Sequence, residues 1–164
     1  MLGPDGKYHL YDPLYPHEAL YGAYTILHGV ADNVTGPYTW NTHPQLDICG
    51  RNCINPAFLQ FTDAAGKTQY TLWVDGKVFV ADNLDGPFAP FPGFNFHGDL
   101  GNPAPLWHNG AFYVTTQQTR EVWTTPALDQ PWTLYANITV PRQAAYEDPY
   151  MWIDKRGNWV RKTE

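Results

Sequence analysis

The sequence is short of positive charge and of long hydrophobic runs. Its 164 residues include 10 Lys and Arg against 16 Asp and Glu, for a formal net charge of -6, and the basic residues form no run. Nucleic acids and anionic membrane surfaces are bound through basic patches, so we expect neither as a partner. No apolar stretch reaches the roughly 18 residues of a membrane-spanning helix, and we expect none.

Cysteine is also scarce, because only Cys49 and Cys53 occur, in the segment CGRNC. This pair could close a small disulfide loop or stay reduced, depending on the compartment. Without further Cys or a His pair at zinc-ligand spacing, we predict no metal and no cofactor. The N-terminus lacks the pattern of a signal peptide, and we expect the natural start to lie upstream. Sequons at Asn33 and Asn137 permit glycosylation if the protein is secreted.

Aromatic residues, glycine and proline are abundant. Aromatics make up 16% of the chain, with 7 Trp and 11 Tyr, and 14 Gly and 15 Pro interrupt it too often for long helices. Aromatic and β-branched residues favour strands, whereas Gly and Pro favour the turns between them. An all-β fold is therefore predicted.

Two series of motifs repeat at a spacing of roughly 45–50 residues. The segments ADNVTGPY from Ala31 and ADNLDGPF from Ala81 form one series. The second series is NPAFLQF from Asn55, NPAPLWH from Asn102 and DPYMWID from Asp148. A glycine turn and an aromatic strand follow each member of the second series. Each unit is thus predicted to hold four antiparallel strands, which is the pattern of a β-propeller blade.

The blades are predicted to form an incomplete propeller. The first unit lacks an inner strand, two units are complete, and the last one ends within its second strand, which makes about three blades. Blades bury their faces only against neighbours, so we expect this chain to be part of a longer protein. The predicted blade regions of this one partial domain are 1–40, 55–90, 102–140 and 147–164.

The start of each inner strand marks a candidate site. Asn55, Asn102 and Asp148 hold equivalent positions and should ring one mouth of the central channel, with Glu147 adjoining them. Long loops reach the same mouth and bring aromatic and hydrogen-bonding side chains that suit sugar rings. The substrate-binding candidates from these loops are His43, Phe96, His97, Arg120 and Tyr146. The alternative is that the Phe side chains pack their own loops.

The repeats INPAFLQF, GNPAPLWHNGAFYV and YEDPYMWIDKRGNW resemble those of the five-bladed propellers of family 43-type glycoside hydrolases and their arabinanase, levansucrase and invertase relatives. The resemblance is strongest from about Asn55 to Trp159. It implies a secreted, extracellular enzyme that cleaves polysaccharide glycosidic bonds, with arabinose- or xylose-containing glycans as the leading substrates. It also implies a carbohydrate partner and a monomer at full length.

The family pattern implies three catalytic carboxylates: an aspartate base, an orienting aspartate and a glutamate acid. Asp148 matches the orienting position, and Glu147 is the nearest candidate for the acid. Adjacent residues of an extended strand point to opposite faces, so both reach the channel only if the strand start is bent. The strand carrying the base would lie upstream of Met1. We therefore expect an incomplete catalytic set and an inactive isolated chain.

Other interpretations remain open. Glu147 and Asp148 could belong to a strand-initiating turn in which the Asp caps backbone groups. A non-catalytic sugar-binding propeller would explain Asn at two ring positions, since an amide cannot act as acid or base. A protein-interaction propeller is a third possibility, but the G-H and W-D signals of those repeats are missing.

Four other acidic positions are predicted to be structural. Asp12-Pro13 is interpreted as a plain turn that follows a strand. Asp32, Asp82 and Asp85 fall in the blade-closing turns, where we expect solvated side chains.

Overall fold

The computed structural model describes residues 1–14, 25–41, 55–74, 76–98, 100–117, 119–138 and 149–162. Within these ranges the secondary structure consists of strands β1 to β13 and turns, without an α-helix. None of the described segments therefore forms a helix that could cross a membrane. The predicted all-β class is confirmed.

The strands form four antiparallel sheets, which we call blades I to IV. Blade I contains β1 (Tyr8–Leu14), β2 (Thr25–Ala31) and β3 (Thr39–Trp40). Blade II contains β4 (Ala57–Thr62), β5 (Thr68–Val74), β6 (Lys77–Ala81) and β7 (Ala89–Pro90). Blade III contains β8 (Ala104–His108), β9 (Ala111–Thr115), β10 (Glu121–Thr125) and β11 (Thr133–Asn137). Blade IV contains β12 (Tyr150–Ile153) and β13 (Trp159–Lys162).

The sheet order confirms the predicted partial propeller. Blades II and III each run in simple sequence order through four strands. The described part of blade I has three strands and that of blade IV has two. The inner strand β8 contacts β4 on one side and β12 on the other, so these three strands surround one axis. This arrangement brings Asn55, Asn102 and Pro149 to one end of the channel.

Strand β5 shows why the blades stack. Successive side chains of a strand point to opposite faces, and both faces of β5 are buried. Leu72 belongs to a core cluster that includes Ile26 of blade I. Trp73, the next residue, belongs to a second cluster that includes Phe112 of blade III. Blade II is therefore packed on both sides, as the apolar run TLWV requires.

Two of the glycine turns share one hydrogen-bond pattern, in which an aspartate side chain accepts bonds from backbone N–H groups. The Asp63 carboxylate accepts hydrogen bonds from the backbone N–H groups of Ala65 and Lys67, both at 2.9 Å. Asp154 accepts the corresponding bonds from Arg156 and Asn158, both at 2.8 Å. Such bonds satisfy backbone donors that the turn leaves outside the strand ladder.

The blade-closing turns largely match expectation. The side chains of Asp32 and Asp82 are 86% and 65% exposed and face Lys7 and Lys67 at 3.9 and 2.6 Å. Their predicted solvated role is confirmed. Asp85 is also exposed, but its carboxylate lies 3.4 Å from a ring nitrogen of buried His28, so it is not merely solvated.

The prediction for Asp12-Pro13 was wrong. Both residues lie inside β1, where Asp12 is paired with Leu27 and Pro13 with Ile26. Within the described residues, β1 pairs with β2 on one side only. Proline lacks an N–H and is tolerated where one side of a strand makes no ladder bonds. The dipeptide signal for a turn is overridden by this edge position.

Candidate functional site at the channel mouth

A cavity of about 520 Å³ opens where the inner strands begin. Its walls come from the starts of β4, β8 and β12 and from β1. The lining residues are Tyr11, Asn55, Pro56, Ala57, Phe58, Asn102, Pro103, Ala104, Pro105, Pro149, Tyr150 and Met151. The predicted convergence of the three openings is therefore present in the described part of this mouth.

Asn55 and Asn102 join two neighbouring blades at the mouth. Both have positive φ angles, of 52° and 45°. Asparagine tolerates this left-handed conformation better than most residues, which explains its use directly before the strand. The Asn55 Nδ2 group donates a hydrogen bond to Oδ1 of Asn102. The two amides thus form a polar bridge across the boundary between blades II and III.

Tyr11 and Phe58 form an aromatic wall. The Tyr11 ring lies between the rings of His28 and Phe58, with centroid distances of 4.7 and 4.8 Å and nearly parallel planes. The Tyr11 hydroxyl donates to the carbonyl oxygen of Leu84. Burial, helped by the negative charge of Asp85, raises the pKa of Tyr11, so this hydroxyl remains a proton donor.

The third opening contributes buried Pro149, with Tyr150 and Met151, to the cavity. Asp148, the residue directly before Pro149, lies outside the described residues, as do Glu147, His43 and Tyr146. Their catalytic and substrate-binding roles therefore stay predictions. Cys49 and Cys53 also lie outside the described ranges.

The other predicted substrate-binding residues do not line this cavity. Phe96 is half-buried and packs edge-on against Trp132 and Trp123, at centroid distances of 5.4 and 6.1 Å. His97 is exposed and lies edge-on to Trp123 at 4.4 Å. These contacts pack Phe96 against blade III. Exposed Arg120 accepts a backbone hydrogen bond from Ile138. Substrate contact by Phe96, His97 and Arg120 stays a prediction.

A second polar cluster lies between blades I and II. His9 Nδ1 and His28 Nε2 are 2.8 Å apart, and both side chains are buried. The Asp5 carboxylate lies 3.1 Å from His9 Nε2, and the Asp85 carboxylate lies 3.4 Å from His28 Nδ1. These contacts make a continuous chain of carboxylate, imidazole, imidazole and carboxylate across the junction.

The pKa values in this cluster shift for identifiable reasons. Burial, together with the nearby His9 ring, lowers the pKa of His28. Hydrogen bonds from the Lys7 backbone and from His9 lower the pKa of Asp5. Sequence reasoning missed this cluster because the two His residues lie on separate strands whose register was unknown. The available signal was a single His inside each of two apolar strands.

The overall structure of the chain is similar to solved structures of family 43 glycoside hydrolases. The GH43_1 enzyme from Xanthomonas citri is 16% identical, with a TM-score of 0.60 over 97% of this chain and 61% of that one. The same enzyme complexed with xylotriose gives 17% identity and a TM-score of 0.61, covering 97% and 60%. Xylan beta-1,4-xylosidase from Bacillus halodurans C-125 is 16% identical, with a TM-score of 0.54 over 96% of this chain and 35% of that one.

These similarities establish the fold alone: the chain forms part of a β-propeller like those of the solved family 43 enzymes. It spans less than two thirds of the length of each of these structures. No protein-family model and no curated protein matches the sequence. At such low identity, a shared fold does not by itself determine a shared activity.

Proposed function

We propose that this chain belongs to a carbohydrate-active propeller that hydrolyses glycosidic bonds at the channel mouth. The observation that carries the proposal is the cavity in which the openings at Asn55, Asn102 and Pro149 meet. Asp148 directly precedes Pro149 in the sequence, so it is bonded to a residue of the cavity wall.

The residues of the mouth are proposed to have different roles in glycosidic bond hydrolysis. Hydrolysis needs one carboxylic acid to protonate the departing glycosidic oxygen and a carboxylate to activate water or attack the anomeric carbon. Glu147 is the proposed acid, and Asp148 is the proposed orienting carboxylate. The amides of Asn55 and Asn102 can donate and accept hydrogen bonds, which suits sugar hydroxyls.

Xylose-containing glycans are the proposed substrates, with arabinose-containing glycans next. Two of the similar structures are described as complexes with xylotriose and with xylose. Tyr11 and Phe58 line the cavity and add apolar surface to it. Because His28 and Phe58 cover both faces of the Tyr11 ring, a sugar would contact the edge of this ring. An extracellular location is also proposed, because polysaccharides are degraded outside the cell. The full-length protein is proposed to be a monomer.

A non-catalytic sugar-binding propeller is the second candidate. Two of the three openings carry amides, and these amides bond to each other. Among the described residues that line the cavity, none is a carboxylate. A binding module would hold the sugar through the aromatic residues and the amides. It would not require a negative charge at Asp148.

Turnover of nitrophenyl xyloside, nitrophenyl arabinoside and xylotriose tests the proposal. The assays use the chain extended to a full five-bladed propeller as the wild type, because the isolated chain is expected to lack the aspartate base and to be inactive. For Asp148→Asn, we expect kcat to fall by about 10²–10⁴-fold while xylotriose binding, measured by calorimetry, persists. Asp129→Asn changes an exposed turn carboxylate and serves as the matched control, with unchanged turnover expected.

The possible outcomes separate the two candidates. Full activity in Asp148→Asn would remove this residue from the mechanism. Xylotriose binding without turnover by the wild-type protein would favour the binding module. A wild-type protein that neither binds nor cleaves these sugars would contradict both candidates.

A further inference from the structure

The cluster between blades I and II is separate from the channel mouth and has a different chemistry. We propose that His9, His28 and Asp85 bind a divalent transition-metal ion of the Zn²⁺ type, with Asp5 orienting the His9 ring. One ligand atom from each of the three residues lies within 4.8 Å of the other two.

The strand register places both imidazoles on one face of blade I. His28 is directly opposite Tyr11 in the β1–β2 ladder, and His9 is two residues before Tyr11. Residues offset by two across a ladder are diagonal neighbours on the same face. The two rings therefore point into the junction with blade II, where the β6–β7 turn supplies Asp85.

The contact between the rings is a hydrogen bond when one ring donates its N–H, and a metal ion bound by both nitrogens would take the place of that proton. His9 Nδ1 and His28 Nε2 are 2.8 Å apart, and two lone pairs that face each other at this distance repel. Either a proton or a metal ion must therefore lie between them. Both His residues are buried, at 4% and 1% relative exposure, and the carboxylates at the two ends of the chain supply compensating negative charge.

Asp5 has the position of an outer carboxylate in a carboxylate–histidine–metal arrangement. It contacts His9 Nε2 at 3.1 Å, which directs the lone pair of Nδ1 towards His28. Carboxylates in this position orient the imidazole and raise its basicity as a ligand. The backbone N–H of Lys7 donates to the same Asp5 oxygen at 3.1 Å and helps to hold the carboxylate in place.

The ligand set selects the class of ion. Two imidazole nitrogens and one carboxylate suit Zn²⁺ and its neighbours, whereas Ca²⁺ and Mg²⁺ prefer oxygen ligands throughout. Tetrahedral bonds of about 2.0–2.2 Å place ligand atoms roughly 3.3–3.5 Å apart. The two imidazole nitrogens are closer than this, at 2.8 Å, and the three ligand atoms lie within 4.8 Å of one another, so the rings must separate slightly and Asp85 must approach for all three to bind one ion. Asp85 lies on an exposed turn and can make the required small movement.

An access path and an open coordination position are present. His28 and Asp85 line a cavity of about 460 Å³, together with Trp40 and other residues of blade I. Water from this cavity can complete the coordination. Because His9 and His28 belong to blade I and Asp85 to blade II, the bound ion would clamp the two blades together and raise the stability of the junction.

Metal titration of the purified protein tests the proposal. After dialysis against EDTA, we expect calorimetry to show one Zn²⁺ bound per chain. Thermal denaturation should show a rise in Tm that EDTA reverses and that Mg²⁺ does not reproduce. Co²⁺ should give the visible absorption of a four-coordinate nitrogen and oxygen site. Absence of Zn²⁺ and Co²⁺ binding at sub-millimolar concentration would overturn the proposal and leave a shared proton as the occupant.

Zn²⁺ affinities of single-residue variants test which residues bind the ion. Asp85→Asn alters an exposed side chain, so the fold should persist while Zn²⁺ affinity falls at least 10-fold. Asp5→Asn should lower affinity by about 10–100-fold through the His9 ring. His97→Gln, which removes an exposed imidazole elsewhere, is the matched control and should bind as the wild type does. Unchanged affinity in Asp85→Asn, or lost affinity in His97→Gln, would refute the assignment.

Discussion

The junction between blades I and II differs sharply from the junction between blades II and III. The first combines an apolar cluster that includes Ile26 and Leu72 with the stack of Tyr11 between His28 and Phe58 and with the buried His9–His28 pair. The second is an apolar cluster around Trp73 and Phe112. Both junctions join equivalent strands of similar blades. Repetition of a blade therefore does not require repetition of the chemistry between blades.

The two junctions place different demands on their residues. Edge-on aromatic contacts, such as Phe61 with Phe112 at 4.8 Å, have broad geometric tolerance and need no hydrogen-bond partner. In contrast, each buried polar atom at the first junction needs a partner, because an unmade hydrogen bond in the interior is costly. We expect both apolar clusters to supply stability. The buried polar contacts of the first junction, which we call the polar junction, should add specificity in the pairing of blades, and the second is called the apolar junction.

The largest expected effect is at the apolar junction. Trp73→Ala removes a fully buried ring that packs edge-on against Phe94 and Trp132. Aromatic-to-alanine changes in a core cost about 3–5 kcal/mol. Urea denaturation followed by circular dichroism should show this loss. Trp152→Ala, at a position 41% exposed, should cost much less, and equal losses at the two positions would contradict the comparison.

The next effect is at the polar junction. Tyr11→Phe keeps the ring stack but removes the hydroxyl that donates to the Leu84 carbonyl. Leaving that acceptor without its donor should cost about 1–3 kcal/mol in free energy of unfolding. Tyr38→Phe is the control, since its hydroxyl donates to Val34 in an exposed position and water can replace it. A Tyr11→Phe protein as stable as the control would show that this junction does not depend on polar matching.

A smaller effect is expected at the mouth of the second junction, where Asn102 has a φ of 45°. Asn102→Ala and Asn102→Gly both remove the acceptor used by Asn55. Only the alanine variant should lose further stability because of the left-handed backbone conformation, by roughly 1–2 kcal/mol in the free energy of unfolding. Thermal denaturation of the pair measures this difference, and a glycine variant no more stable than the alanine variant would exclude backbone conformation as the reason for asparagine.

The smallest effect is expected in the turn of blade IV, which belongs to neither junction. Hydrogen bonds from the side chain and backbone of Asn158 lower the pKa of Asp154 below the ordinary value of an aspartate. The unfolded chain then binds the proton more readily, so stability rises with pH through this range. The contribution is present above about pH 4 and is lost as pH falls through the folded pKa.

Asp154→Asn should remove that contribution without affecting either junction. Tm measured between about pH 2 and pH 6 should show a shallower rise for this variant than for the wild type. An unchanged pH profile would mean that the carboxylate hydrogen bonds of this turn do not contribute to stability. The same substitution at Asp129, an exposed turn residue, provides the control.

Much of the architecture was predictable because blade motifs are local. The Gly turns, the aromatic strands and the N/D-P openings recur at a regular spacing, and each depends on backbone preferences of a few neighbouring residues. The position of Asn55 and Asn102 at one channel mouth followed from that register alone. The Asp12-Pro13 prediction was wrong because β1 pairs on one side only among the strands that the structure describes, and a dipeptide carries no information about pairing between distant strands.

By itself, the sequence determined the all-β class, the four-stranded repeat and the order of the openings, because strand periodicity and turn chemistry act over short distances. Only the tertiary structure decided what fills each junction. His9, His28 and Asp85 come from three separate segments, and Tyr11 meets Phe58 across two blades. Contacts of this kind depend on the relative placement of whole sheets, which arises from packing to high density rather than from any local preference.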